Sequence, residues 1–179
     1  TAVGYLALLA NTTGANSVAV GYTALDANTT GANNTAVGYS ALGVNTTANN
    51  NVAIGMSSLA SNTTGASNVA VGNSALLQNI GASNNTAVGY TALEENTSGT
   101  SNTAVGHQSL NANTTGASNI AVGALALDAN TTANYNTAVG TSALTASTAT
   151  GGTAVGYEAL KANVEKNYET AVGYQALTT

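Results

Sequence analysis

A glycine returns along this chain with a fixed period. It stands at Gly4, Gly21, Gly38, Gly55, Gly72, Gly89, Gly106, Gly123, Gly140, Gly156 and Gly173, each step being 17 residues except one of 16. The stretch Asn34-Thr35-Ala36-Val37-Gly38-Tyr39-Ser40-Ala41-Leu42 shows the unit around it cleanly. A unit this short cannot bury a hydrophobic face alone, so copies must stack and each must contact chiefly its neighbours. The chain therefore reads as one repeat domain over residues 1–179, beginning and ending inside a repeat with no cap at either end.

Aligning the copies on their glycine gives columns with separate jobs. Two positions before it the residue is Ala, from Ala2 and Ala19 to Ala171; one before, it is Val, or Ile54 once. Three before, it is β-branched: Thr1, Thr35 and Thr86 alternate with Val18, Val52, Val69 and Ile120. Stiff branched side chains at these positions predict a β-strand. Strand side chains alternate, so the bulky pair shares one face and the Ala–Gly pair the other. The bulky face is expected to fill the interior, and the small face to press against another backbone or chain.

Four positions after the glycine stands Leu in every copy, from Leu8 and Leu25 to Leu160 and Leu177, as a buried ladder would require. Each rung, stacked at ~4.8 Å, would gain roughly 1.5–3 kcal/mol from that Leu. Seven after it comes Asn, at Asn11, Asn28, Asn45, Asn62, Asn79, Asn96, Asn113, Asn130 and Asn163, generally followed by Thr-Thr. Asn tolerates the left-handed conformation and caps nearby backbone, so it is assigned to the corner; Asn-Thr-Thr forms a second short strand or a turn. There is no proline, which suits a sheet that keeps its donors for the next rung. No 3.6-residue apolar stripe survives the period, so helix is excluded. The expectation is an all-β parallel β-solenoid, or β-roll, of eleven rungs and about 50 Å in length.

Two regions depart from the pattern. Between Gly140 and Gly156 the spacer loses one residue and its corner Asn, predicting a shortened loop. Residues 157–179 carry Glu158, Lys161, Glu165, Lys166 and Glu169, a concentration of charge that reads as solvated terminal rungs or as a transition to a further domain.

Composition narrows the function. With two Lys, no Arg and a net charge of −5, the chain cannot neutralise a phosphate backbone or an anionic bilayer surface. It has no cysteine, hence no disulfide or thiolate metal site, and no apolar run of the roughly 18 residues a span needs. Catalysis needs unlike residues brought together, whereas a repeat lines up like ones. His107 is the lone histidine and occupies the column after the glycine where Tyr is commonest. Glu94 and Glu95 are adjacent, and Asp26 and Asp128 are too sparse for a calcium-binding repeat. No catalytic, metal or cofactor residues are assigned.

Three surface readings remain. Tyr5, Tyr22, Tyr39, Tyr90, Tyr157 and Tyr174 follow the glycine and offer stacking faces for sugars or proteins, or pack on neighbouring loops; Tyr135 and Tyr168 sit in another column. Asn-Thr-Thr is an N-glycosylation acceptor at Asn11, Asn28, Asn45, Asn62, Asn113 and Asn130, with Asn96-Thr97-Ser98 as a seventh; the alternative is corner and ladder hydrogen bonding. Regular Thr rows also suggest an ice-binding face, against which adjacent Thr cannot share one face of a strand.

The Asn-Thr-Ala-Val-Gly-Tyr-x-Ala-Leu unit, with Ser17-Val18-Ala19-Val20-Gly21 and Asn51-Val52-Ala53-Ile54-Gly55, resembles the head repeats of YadA-like trimeric autotransporter adhesins. It is similar also to Ala-Val-Gly arrays of phage tail-fibre-like proteins. The resemblance spans the whole chain but departs in period, the adhesin repeat being shorter. It implies a left-handed β-roll, three identical chains side by side, and adhesion without catalysis at a cell or virion surface, with a host surface protein or glycan as ligand. The alternative is a subunit of an extracellular filament stacked head to tail.

Overall fold

The computed structural model describes residues 1–162 and 166–178, so Asn163 and Glu165 lie outside the described residues. Each repeat contributes one short strand: β1 (Ala2–Val3), β2 (Val18–Val20), β3 (Thr35–Val37), β4 (Val52–Ile54), β5 (Val69–Val71), β6 (Thr86–Val88), β7 (Thr103–Val105), β8 (Ile120–Val122), β9 (Thr137–Val139), β10 (Thr153–Val155) and β11 (Thr170–Val172). They form one 11-stranded sheet in sequence order. Pairing is parallel and in register, Ala36 opposite Ala53 and Ala53 opposite Ala70. The short repeat keeps that register, since Thr153 still pairs with Thr137. The chain is thus a parallel β-solenoid, and the Asn-Thr-Thr segments are bends rather than a second strand.

The strand faces point opposite to expectation. The Ala column, from Ala19 and Ala36 to Ala138 and Ala154, is fully buried and clusters with the Leu ladder of Leu25, Leu42, Leu59, Leu76, Leu93, Leu110, Leu127 and Leu144. The Val column faces outward: Ile54, Val122, Val139 and Val155 are each more than a third exposed. The physical reason is the narrow cross-section. Leu reaches across from the turn and fills it, so the strand can present only a methyl group inward, and the branched residues take the outer face.

The glycine faces the next rung of its own chain. Gly72 has φ +135°, and a Cβ there would overlap the carbonyl of Gly89. After it the backbone turns through left-handed residues two and four positions on, as at Ser40 (φ 50°) and Leu42 (φ 53°), and again near the next strand at Asn50 (φ 60°). Such conformations cost non-glycine residues roughly 1–2 kcal/mol each. The cost is offset by hydrogen bonds in both directions along the stack: the Ser40 amide donates down to Tyr22 O at 2.9 Å, and the Leu42 amide up to Ser58 O at 3.0 Å. The corner is therefore made by Ser, Leu and a later Asn, and the Asn seven after the glycine is not among the left-handed residues.

That Asn points inward instead. Asn28, Asn45, Asn62, Asn79, Asn96, Asn113 and Asn130 are fully buried. Each Nδ2 donates to the Asn Oδ1 of the preceding rung, as in Asn45 to Asn28 (2.8 Å) and Asn113 to Asn96 (2.9 Å). A second buried column, Asn34, Asn51, Asn68, Asn85, Asn102, Asn119 and Asn136, accepts the backbone amide of the rung above, as in Asn68 N to Asn51 Oδ1 at 2.9 Å. Buried amides survive in an apolar interior only when so paired. The short repeat places Ser147 in the first column and Gly152 in the second, and there Asn130 Oδ1 and Asn136 Nδ2 are left without partners.

Candidate recognition surface

Three surfaces repeat along the rungs, the third only as far as Thr132. The first is the outer sheet face, where Val or Ile lies one residue before every glycine and Thr, Val or Ile lies three before. Its side chains are exposed or half-buried throughout and none carries charge. The columns of the sequence had assigned these residues to the interior. A fully parallel sheet is ordinarily covered on both faces, and here one face is not.

The second surface is the column after the glycine. Tyr5, Tyr22, Tyr39, Tyr90, Tyr157 and Tyr174 are 44–73% exposed. The register stacks them: Tyr5 on Tyr22 at 5.0 Å between ring centroids, Tyr22 on Tyr39 at 5.2 Å, and Tyr157 on Tyr174 at 5.2 Å. Tyr90 stacks on His107 at 5.5 Å, so the lone histidine extends an aromatic run. Tyr135 and Tyr168, at left-handed positions, are exposed. Within a run each ring covers its neighbour's face, and only edges and hydroxyl groups meet solvent.

The third surface is the Thr-Thr bend. The hydroxyl of the first Thr donates to the backbone of the next rung, as Thr12 Oγ1 to Thr29 O at 2.9 Å and Thr114 Oγ1 to Thr131 O at 3.0 Å. The second Thr, from Thr13 and Thr30 to Thr115 and Thr132, is exposed. The row breaks at Gly81, where Ile80, Gly81, Ala82, Thr97, Ser98 and Thr100 line an open concavity of about 370 Å³.

The sequon asparagines lie on none of these surfaces. Asn28, Asn45, Asn62, Asn96, Asn113 and Asn130 are fully buried with their Nδ2 donated to backbone and to the ladder; Asn11 is half-buried and donates to Gly14 O at 3.0 Å. In the folded rungs that nitrogen is engaged in backbone and ladder hydrogen bonds. The second Asn column was missed altogether, although Asn recurs four residues before seven of the glycines.

Charge is sparse and local. Glu94 accepts from Asn111 Nδ2 at 3.2 Å. Glu158 is bound by Lys161 at 2.6 Å and by Gln175 at 2.9 Å, and the Lys161 bond holds its carboxyl below the usual range. Lys161 is raised in turn by the same hydrogen bond. Burial pushes the Asp128 carboxyl up, with opposing help from backbone amides, and Asp128 Oδ1 has no partner. Among the described residues no group of three or more His, Cys, Asp or Glu is placed to hold a metal ion. The chain matches no protein-family model, no curated protein and no solved structure.

Proposed function

We propose that this chain is a non-catalytic, extracellular structural and adhesive rod, a segment of a surface adhesin or tail fibre, that assembles with copies of itself through its outer sheet face. The observation that carries the reading is the uncovered row from Val3 and Val20 to Val155 and Val172, flanked by Thr and Val and free of charge. Strands three residues wide stacked for eleven rungs make a strip of roughly 500 Å². A continuous Val and Ile row bordered by uncharged Thr and Val, at the size of the largest patches that monomers carry, suits a site of association. Three copies around a three-fold axis can each turn this face inward, one edge of the strip meeting the other edge of its neighbour, so that heterologous contacts close into a ring. The left-handed coil and the three-chain assembly implied by the resemblance belong to this reading.

Sedimentation equilibrium with negative-stain microscopy tests it. The native chain should give a discrete particle of three chain masses, and Val71→Lys with Val88→Lys should give monomers that keep the β circular-dichroism spectrum. A native monomer would sink the assembly, and threads of indefinite length would replace it with head-to-tail stacking.

A further inference from the structure

We propose that the interval between His107 and Tyr157 is a binding slot for neutral saccharide rings, which would give the adhesive reading above a ligand class and rests on it. Sugars stack through their C–H face on exposed aromatic faces, and inside each aromatic run those faces are already taken by the next ring at 5.0–5.5 Å. Stacking recognition is therefore confined to the ends of runs. One run ends at His107, whose near face lies on Tyr90; another begins at Tyr157, whose far face lies on Tyr174. Between them the same column holds only Ala124 and Thr141.

His107 and Tyr157 are three rungs apart, about 14 Å at ~4.8 Å per rung. The two intervening positions of the ladder lack rings, so a sugar ring can lay its C–H face on either aromatic wall. The corresponding interval from Tyr39 to Tyr90 is occupied by Met56 and Asn73 and offers no such gap. Next to the column stand Gln108, Leu125 and Ser142, which present an amide, an apolar side chain and a hydroxyl. These suit the hydroxyl rim and apolar face of a pyranose. Of the acids in these rungs, Glu158 is tied to Lys161 and Gln175, and Asp128, in the rung of Ala124, keeps an unpartnered Oδ1; with two Lys and no Arg in the chain, a phosphate-bearing or acidic ligand meets carboxylates rather than counter-charge.

The test titrates native protein, in its native assembly state, with neutral hexasaccharides of glucose, mannose and N-acetylglucosamine, reading the His107 ring protons by NMR and affinity by calorimetry. At least one should bind and shift His107. Ala124→Tyr places in the slot the residue most frequent in that column and should weaken binding at least tenfold without changing secondary structure or assembly. Tyr135→Ala, which removes an exposed ring outside this column, should leave affinity unchanged. Failure of all three sugars to bind, equal binding by Ala124→Tyr, or preferential binding of an uncharged tryptophan peptide overturns the proposal. Sedimentation of the same samples separates this from failure of the assembly itself.

Discussion

Asn51 and Asn62, from two different buried columns, donate their side-chain amides to one acceptor, the carbonyl oxygen of Gly65, each at 2.9 Å. The arrangement repeats at Ala48 for Asn34 and Asn45, at Ala82 for Asn68 and Asn79, and at Gly116 for Asn102 and Asn113. Both lone pairs of that carbonyl are used, and each Asn spends its remaining groups on adjacent rungs. The polar half of the interior is thus a single hydrogen-bonded lattice, and its members are coupled along the stack as well as across it.

Removing one member exposes the coupling. Asn62→Ala deprives Asn45 Oδ1 of its donor and Asn79 Nδ2 of one acceptor, and leaves a cavity beside Leu59. An orphaned buried acceptor with a small cavity costs about 2–4 kcal/mol. Urea denaturation should show that loss, whereas Thr115→Ala on the exposed row should lie within about 0.5 kcal/mol of native. Equal effects of the two substitutions would refute the lattice.

The glycine column gives a sharper contrast. Gly72→Ala meets the Gly89 carbonyl at a φ of +135° that alanine resists, while at Gly43 a Cβ finds its nearest neighbour at 3.5 Å. Gly72→Ala should lose more than about 3 kcal/mol or fail to fold. Gly43→Ala should fold normally, as circular dichroism and solubility would report.

The period, the stack of rungs, the strand position and the Leu ladder were all legible because each is a one-dimensional property of a column. Which strand face turned inward was not. Alternation says that Ala36 and Val37 point opposite ways but carries no sign, and the sign depended on how far Leu42 reaches across the rung. The corner was misplaced for a related reason: the left-handed residues are Ser40 and Leu42, types that rarely adopt it, and inter-rung hydrogen bonds rather than intrinsic preference hold them there. At the surface, the Tyr column was expected to offer free faces or to pack on loops; its rings stack on one another instead, and ring spacing leaves faces free only at the ends of runs.

Thr91 marks a place where the fold is under avoidable strain. It is β-branched at φ 48°, it is buried, and its hydroxyl has no partner. Thr91→Gly removes both the steric conflict and the orphan hydroxyl, at the expense of a more flexible unfolded chain. The net gain should be about 1 kcal/mol, visible as a raised thermal midpoint. A lowered midpoint would mean that side-chain packing outweighs the backbone conflict.

Asp128 should make stability depend on pH in the direction opposite to an ion-paired acid. Burial raises its carboxyl above the ordinary carboxylate value, so the folded state binds the proton more tightly than the unfolded chain. Its contribution is most favourable below the unfolded value and is lost as pH rises through the raised folded one. Glu158, lowered by Lys161, works the other way: its contribution is present above its unfolded value and fades as pH falls through the lowered one. Asp128→Asn should therefore stabilise the rod at neutral pH, by no more than about 1 kcal/mol because the group remains partly solvated. That advantage should vanish in acid. Denaturation midpoints of the native protein and Asp128→Asn, compared from acid to neutral pH, check this; a difference that does not change with pH would remove Asp128 as the titrating group.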